Sequence, residues 1–296
     1  MSRVNRSRLA VLALLTVAAA WGSTFFLTKD LLTRMDVADY LALRFLIASV
    51  ALLLIHPPAI ARLNRLDRGR AVALGITYGI AQLVQTEGLR HTPASVSGFV
   101  TGMYVVFTPL LAAVILRHKI GRWAWVAVVL ATVGLGVLSL RGFTMGTGEL
   151  LTLASAALYA LHIIGLGVWS TPENAFGLSA LQMVTITCVC AVGAIPGGFS
   201  APTNTRDWIS VVYMALIAGA LALIVQTWAQ AHLTPTRAAI AMTMEPVFAS
   251  TFAVLFGTES VTLRMLTGGA LVLAAMFLVE LAPRRKFEAE VQHLAQ

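Results

Sequence analysis

The sequence predicts an all-α polytopic membrane protein, in which ten transmembrane helices form two inverted five-helix repeats around a central cavity. Three observations predict this fold: the composition, the number of long apolar stretches and a weak internal copy. Of the 296 residues, 58% are hydrophobic and 11% are charged, and the mean hydropathy is +0.83. Soluble domains carry about 25% charged residues. The chain therefore lacks the polar residues needed to cover a water-facing surface.

A helix that crosses a bilayer needs about 20 mostly apolar residues. Ten stretches come close to this length, and they are called span 1 to span 10. Their limits are 9–28, 40–55, 72–88, 94–116, 124–140, 150–169, 178–195, 208–231, 238–257 and 265–281. The runs are continuous and do not alternate with the period of two that a membrane β-barrel shows. They predict helices.

The internal copy relates the two sets of five spans. Its clearest trace is Val84-Gln85-Thr86, His91 and Thr92-Pro93, which return as Val225-Gln226-Thr227, His232 and Thr234-Pro235. An odd number of spans in each copy inverts the second copy in the bilayer, an arrangement typical of secondary transporters with a substrate site between the halves. We predict one repeat at 1–141, an inverted repeat at 142–282 and a cytoplasmic tail at 283–296.

The formal net charge of +8 reports topology. If the N-terminus lies inside, 14 of the 21 Lys and Arg residues fall on the inner side and six on the outer side. Lys and Arg prefer cytoplasmic loops. This distribution predicts cytoplasmic termini in a bacterial inner membrane, with the lipid bilayer as partner, and gives no support for nucleic-acid binding.

Polar residues inside spans mark partner helices or water-filled cavities, because an unpaired polar group is costly in lipid. They recur at helical spacing on one face of spans 1, 3, 4, 6, 8 and 9, which form three repeat-related pairs. From these faces we predict a substrate-binding set of Trp21, Thr24, Tyr78, Gln82, Gln85, Thr101, Tyr104, Tyr159, His162, Trp169, Gln226 and Glu245. The alternative is that these side chains only bond neighbouring helices, at about 0.6 kcal/mol per contact. For His162 a satisfied interhelical role is the main alternative.

Glu245 is the acidic residue nearest the middle of a span, and Pro246 follows it. Proline removes a backbone donor and kinks a helix, so we predict hinges at Pro246 and, in span 4, at Pro109. A carboxylate at such a kink could meet an ammonium group, a cation or a proton. Arg44 lies near one end of span 2, and we interpret it as snorkelling or pairing with Asp39 or a neighbouring carboxylate, in preference to binding substrate.

Enzymatic signatures are absent from the sequence. It has no phosphate-binding loop, zinc motif or nucleophile elbow, so neither an enzyme nor a cofactor or metal is predicted. Gly75-x-x-x-Gly79 and Gly98-x-x-x-Gly102 permit close helix contact. They leave the choice between packing within the chain and a homodimer open.

The segment Ala20-Trp21-Gly22-Ser23-Thr24-Phe25 and Leu43-Arg44-Phe45 resemble the EamA family of the drug/metabolite transporter superfamily. The Thr-Pro starts of spans 4 and 9, and Glu245-Pro246 followed by Glu259, add to the resemblance over residues 10–281. In the first half, His118-Lys119 stands where the family has this Glu. The resemblance implies ten helices around a cavity, alternating access and export of amino acids or related metabolites, with the YddG-type aromatic amino acid exporters as the most similar subgroup.

The cavity residues favour an amphipathic solute over a phosphate, since phosphates require several basic side chains and Arg44 is the one basic residue inside a span. The leading hypothesis is an inner-membrane exporter of aromatic or neutral amino acids and related metabolites. The alternative is a multidrug or organic-cation exporter coupled to protons through Glu245. A membrane enzyme or receptor, and uptake of nucleoside-like or other neutral solutes, are weaker hypotheses.

Overall fold

The computed structural model describes residues 3–115, 122–139, 146–171, 173–230 and 241–281, and within these ranges the regular structure is helical. The helices are α1 Arg3–Leu31, α2 Val37–Ile55, α3 Arg65–His91, α4 Ala94–Thr101, α5 Tyr104–Ile115, α6 Arg122–Ser139, α7 Thr147–Trp169, α8 Ala175–Ala194, α9 Thr205–Ala215, α10 Ala222–Gln230, α11 Glu245–Leu255 and α12 Leu263–Leu281. Short 3₁₀ turns cover Pro57–Ala59 and Ile195–Gly197. A π-helical turn, here called the π segment, covers Leu216–Leu221 and joins α9 to α10.

Each predicted span has a helical counterpart. Span 4 consists of α4 and α5, span 8 consists of α9, the π segment and α10, and α11 is the later part of span 9. Six described stretches are long and apolar enough to cross a membrane. The predicted boundary at 141/142, the Thr234-Pro235 start of span 9 and the 283–296 tail lie outside the described residues. Successive spans run in opposite directions, so the bundle has a Leu31 end, where α1 ends, and an Ile55 end, where α2 ends.

Small residues allow the helices to approach closely. A Cβ atom at Gly75 would stand 2.6 Å from the Cβ atom of Thr185 on α8, and one at Gly98 would stand 2.6 Å from the Cβ atom of Ala249 on α11. Gly134 of α6 and Gly268 of α12 face each other in the same way. The two Gly-x-x-x-Gly spacings are thus used for packing inside the chain.

Spans 3 and 8 begin with the same cap, which the sequence analysis missed. The side-chain oxygen of Asn64 accepts a hydrogen bond from the backbone N–H of Asp67 at 2.8 Å, and its amide donates to the Asp67 carboxylate at 2.8 Å. Asn204 makes the same pair of bonds with Asp207, at 2.9 and 2.7 Å. An N-terminal cap of this kind satisfies helix donors that have no partner within the helix.

The π segment accounts for a change in the spacing of the two repeats. The caps are 140 residues apart, whereas Val84-Gln85-Thr86 and its copy are 141 apart. Each π-helical bond joins residues five apart, so one π turn holds one residue more than an α-helical turn. The extra residue of the second copy is therefore absorbed at Leu216–Leu221, and the flanking helices keep their faces.

Spans 4 and 9 are interrupted at equivalent places. The chain turns at Gly102–Met103 before α5, and 141 residues later it turns at Thr243–Met244 before α11. Pro246 stands in the first turn of α11, directly after the interruption, where its missing N–H is tolerated. Pro109 instead lies inside the continuous helix α5. The break in span 4 is thus placed ahead of Pro109, and the hinge role of both prolines stays a prediction.

Candidate functional site

A partly open cavity of about 80 Å³ lies between the helices, with room for several water molecules. Both halves of the chain contribute to its wall. The lining residues are Trp21, Thr24, Phe25, Thr28, Arg44, Tyr78, Gln82, Gln85, Thr86, Leu89, Thr101, Tyr104, Tyr159, His162, Ile163, Gln226, Met242 and Glu245. Helices α6 and α12 contribute none of them and support the bundle from outside.

Eleven of the twelve residues of the predicted substrate-binding set line this cavity; Trp169 is the exception. Trp169 is the last residue of α7 at the Ile55 end, and its ring lies 5.9 Å from the Arg70 guanidinium. A tryptophan at the edge of the apolar region is held by such a cation–π contact and by the amphipathic surroundings. Trp169 is therefore removed from the candidate cavity, and substrate binding by the other eleven stays a prediction.

Glu245 lies at the position where the two halves meet. It is the first residue of α11, a favourable place for a carboxylate because of the helix dipole. Tyr104, the first residue of α5, donates its hydroxyl to the Glu245 carboxylate at 3.1 Å, and the two residues are 141 positions apart. They are the first residues of α5 and α11, the helices that follow the breaks in spans 4 and 9, and they are in direct contact. The pair places one acidic group on the cavity wall.

A hydrogen-bond chain crosses from α7 through α3 to α4. The Tyr159 hydroxyl donates to the side-chain oxygen of Gln85 at 2.7 Å, and the Gln85 amide donates to the Thr101 hydroxyl at 2.9 Å. Gln82 donates to the Tyr78 hydroxyl at 3.2 Å. These bonds fix the orientation of the amide groups.

His162 lies on the cavity wall and also bonds a neighbouring helix, and its role in substrate binding stays a prediction. It lines the cavity, and one ring nitrogen lies 2.8 Å from the side-chain oxygen of Gln182 on α8. The ring also stacks at a tilt on Tyr78, with 4.9 Å between centroids. The histidine is therefore an interhelical residue whose exposed edge belongs to the cavity.

The interpretation of Arg44 as a snorkelling residue or a partner of Asp39 is wrong. The side chain is only 6% exposed and reaches the cavity instead of the membrane surface. Its Nε donates to the backbone oxygen of Met214 and its Nη1 donates to the Tyr40 hydroxyl, each at 3.2 Å. Asp39 accepts from the N–H and hydroxyl of Ser200 instead. Asp39 is the partner expected from the sequence, and a side-chain pattern could not show the Met214 backbone oxygen, which lies beside the π segment.

The π segment also positions Trp21. Its indole N–H donates to the backbone oxygen of Ala218 at 2.9 Å. Span 8 thus contributes main-chain oxygens to Trp21 and Arg44, in addition to the Gln226 side chain. Short π turns are frequent at functional sites.

Two sets of hydrogen bonds tie the helices together at the Leu31 end. The Lys29 ammonium donates to the backbone oxygens of Leu89, Arg90 and Thr92, at 2.7, 2.9 and 3.0 Å. Glu259, from the second half, accepts from the backbone N–H groups of Ala94 and Ser95 and from the Ser95 hydroxyl. The first set caps the end of α3 and the second caps the start of α4. The place of His118-Lys119 lies outside the described residues.

Beyond the predicted set, the cavity includes Phe25, Thr28, Arg44, Thr86, Leu89, Ile163 and Met242. Thr28 follows Thr24 by four residues and so shares its helix face, a signal that the sequence contains. Thr86 and Leu89 extend the lining along α3 towards the Leu31 end. Among the residues that the structure describes, no group of three or more His, Cys, Asp or Glu could hold a metal ion.

Comparison with known proteins identifies the fold. The sequence profile described as "EamA-like transporter family" matches residues 8–140 and 146–281. A solved structure described as "Crystal structure of protein" superposes with a TM-score of 0.67 at 16% identity, over 92% of this chain and 96% of that one; at this identity the likeness shows the fold alone. The predicted ten-helix, two-repeat membrane fold and the predicted absence of enzymatic function are confirmed.

Two curated relatives cover almost the whole chain. An "Uncharacterized transporter" of Archaeoglobus fulgidus is 29% identical over 92% of this chain and 86% of its own length. A "Probable terminal-alkyne amino-acid exporter" of Streptantibioticus cattleyicolor is 27% identical over 91% of this chain and 93% of its own length. "Purine permease 3" of Arabidopsis thaliana is 26% identical over 53% of this chain and 54% of its own length.

Proposed function

The chain belongs to the EamA-like transporter family, and we propose that it is a secondary transporter that exports neutral and aromatic amino acids and related metabolites by alternating access. We place it in the bacterial cytoplasmic membrane with both termini inside, because of the distribution of Lys and Arg. The proposed repeats are 1–141 and 142–282.

One observation carries the substrate class: a partly open cavity between the halves combines aromatic rings with a single described carboxylate, that of Glu245. Tyrosine and tryptophan faces bind apolar and aromatic side chains and attract ammonium groups. The Glu245 carboxylate adds a counter-charge for the same ammonium. A cavity of this composition suits an amino acid better than a phosphate.

The relative from Streptantibioticus cattleyicolor, described as a probable amino-acid exporter, supports the same class at 27% identity. The contacts at the Leu31 end support the transport cycle. Lys29 and Glu259 hold the ends of α1, α3 and α4 together, so opening this end requires these bonds to break. We propose that the two halves rock about the cavity, with the turns at Gly102–Met103 and Thr243–Met244 as the flexible points.

Glu245 also supports a second candidate, the export of organic cations in exchange for protons. A buried carboxylate that bonds only one tyrosine hydroxyl among the described residues could bind a cation or a proton in turn. The two candidates differ in what Glu245→Gln would do. A proton-coupled cation exporter would lose its transport and its dependence on pH, whereas an amino acid carrier would keep part of its exchange.

The test is counterflow into proteoliposomes with labelled phenylalanine, tryptophan, threonine, methionine, an organic cation such as tetraphenylphosphonium and a sugar phosphate. We expect saturable exchange of the amino acids and none of the sugar phosphate. Glu173→Gln, at an exposed residue outside the cavity, is the control for Glu245→Gln. Exchange of the cation alone, abolished by Glu245→Gln, would replace the amino acid proposal with the second candidate.

A further inference from the structure

Arg44 is a buried charge without a described counter-charge. It lies within α2 with 6% of its surface exposed, and no carboxylate of the residues in 3–115, 122–139, 146–171, 173–230 or 241–281 is placed within ion-pair distance of it. Taking a guanidinium out of water costs several kcal/mol unless an anion compensates it. Charges retained inside a membrane span are by default functional.

The guanidinium is held in a fixed orientation. Its Nε and Nη1 each make one hydrogen bond, to the Met214 backbone oxygen and the Tyr40 hydroxyl. The Tyr40 hydroxyl lies 3.0 Å from the Thr28 hydroxyl, so a second hydrogen bond holds the Tyr40 side chain in place. A guanidinium has five N–H donors. No other described residue is found as an acceptor for the remaining three, and Arg44 lines the cavity.

Arg44 and Glu245 come from different walls. Helix α2 packs on α8 and α9, whereas α11 packs on α1 and α4. On the Arg44 side, Phe45 packs edge-on against Tyr78 with 6.4 Å between ring centroids. On the other side, Tyr104 contacts Glu245. The cavity therefore carries one positive and one negative group on separate walls, with aromatic rings between them.

A guanidinium presents parallel N–H groups that match the two oxygens of a carboxylate. The oriented donors, the missing counter-charge and the Glu245 carboxylate on a separate wall together favour a solute with both charges. We propose that Arg44 binds the carboxylate of the transported solute and restricts transport to solutes with a free carboxylate. The inference rests on the proposed amino acid export and adds to it the residue that distinguishes an amino acid from its amine.

Counterflow with phenylalanine and phenethylamine, which lacks the carboxylate, tests this specificity. We expect the wild-type protein to exchange phenylalanine at least about 10-fold faster than phenethylamine. Arg44→Gln should lower phenylalanine exchange about 10- to 100-fold and leave phenethylamine little changed, and Arg44→Lys should restore part of the activity. Arg70→Gln is the matched control, since Arg70 lies at the Ile55 end against Trp169 and Asp67.

A binding measurement separates this inference from the proposed function. The probe is 3-phenylpropionate, a carboxylate without an amine, added to purified protein during thermal unfolding. It should raise the melting temperature of the wild-type protein and of Arg70→Gln, but not that of Arg44→Gln. If amino acids are not exchanged but this difference is found, the proposed export fails and the carboxylate site stands.

Two results would overturn the inference. One is equal exchange of phenylalanine and phenethylamine by the wild-type protein, with both retained in Arg44→Gln. The other is stabilisation by 3-phenylpropionate that is the same with and without Arg44. Should Arg44→Gln not fold, Arg44→Lys decides: a raised KM for phenylalanine at unchanged phenethylamine exchange supports the site, and equal changes for both probes reject it.

Discussion

Spans 3 and 8 are two copies of one helix that supply the cavity in different ways. Both begin with an Asn-x-x-Asp cap and both carry Val-Gln-Thr further on. Between these points α3 is a regular α-helix that directs Tyr78 and Gln82 into the cavity. Span 8 has the π segment there, with small residues such as Ala218 and Gly219.

In this stretch span 8 supplies backbone carbonyl oxygens where α3 supplies polar side chains. The carbonyl oxygens of Met214 and Ala218 accept hydrogen bonds from Arg44 and Trp21. Span 3 thus contributes side chains alone, whereas span 8 adds main-chain acceptors to the Gln226 side chain. Inserting a single residue changed the chemistry of a helix whose ends and outward faces were kept.

The largest effect is expected from deleting Ala220. The deletion gives span 8 the same number of residues as α3 between the cap and Val-Gln-Thr, so that the π segment can become a regular α-helix. A regular helix uses its own carbonyls, so Trp21 and Arg44 lose their acceptors, at about 1–3 kcal/mol each. We expect counterflow to fall by at least roughly 30-fold in a protein that still folds. Deletion of Gly197, in an exposed turn with open space around it, is the control. Normal exchange after the Ala220 deletion would show that the π segment has no part in the site.

A smaller loss of exchange is expected when Gln85 or Gln226, which occupy the same position in the two copies, is replaced by leucine. Gln85→Leu leaves the Tyr159 and Thr101 hydroxyls without their partner, and we expect a loss of roughly 5- to 150-fold in exchange. Gln226 has one hydrogen bond within the described residues, a 3.9 Å contact to the Met242 sulfur. Gln226→Leu should therefore cost less than about 5-fold on the same scale. Parallel kinetics of the two variants measure the difference, and equal losses would contradict it.

The smallest effect concerns the shared caps. Asn64→Ala and Asn204→Ala each remove a cap that contributes about 1 kcal/mol, so both should lower the free energy of unfolding by similar amounts. Asp207→Ala should cost more than Asp67→Ala, because Asp207 accepts two bonds from Arg34, at 2.9 and 2.7 Å, whereas Asp67 accepts one from Arg70, at 3.0 Å. Unfolding in mixed detergent micelles gives these values. The order of the two aspartate variants decides the outcome: a larger loss for Asp67→Ala would show that the Arg34 bonds add nothing.

Helical periodicity was enough to predict most of the cavity wall. Within a lipid bilayer, a helix face that carries polar residues contacts a partner helix or a water-filled cavity. Tyr78, Gln82 and Gln85 therefore marked the inner face of α3 before any coordinates were known. Trp169 follows the same spacing, but it ends its helix, where the membrane surface competes with the interior for an amphipathic ring.

Arg44 and the π segment were not predicted, for one reason. Side-chain patterns report side-chain partners such as the Tyr40 hydroxyl, whereas the second acceptor of Arg44 is the backbone oxygen of Met214. The sequence does contain a signal for the π segment, since the repeat spacing changes from 140 at the caps to 141 at Val-Gln-Thr. The change in spacing is evident only when the two Asn-x-x-Asp caps are aligned as equivalent helix starts.

The extra residue has an energetic consequence for the transport cycle. Two identical inverted halves would interchange their conformations during each cycle, and the inward- and outward-facing states of the empty carrier would then have equal free energies. The π segment is present in one half and its counterpart in α3 is a regular helix. Because the two halves differ in this way, the inward- and outward-facing states of the empty carrier have different free energies. Their populations therefore differ even when no gradient acts on the membrane.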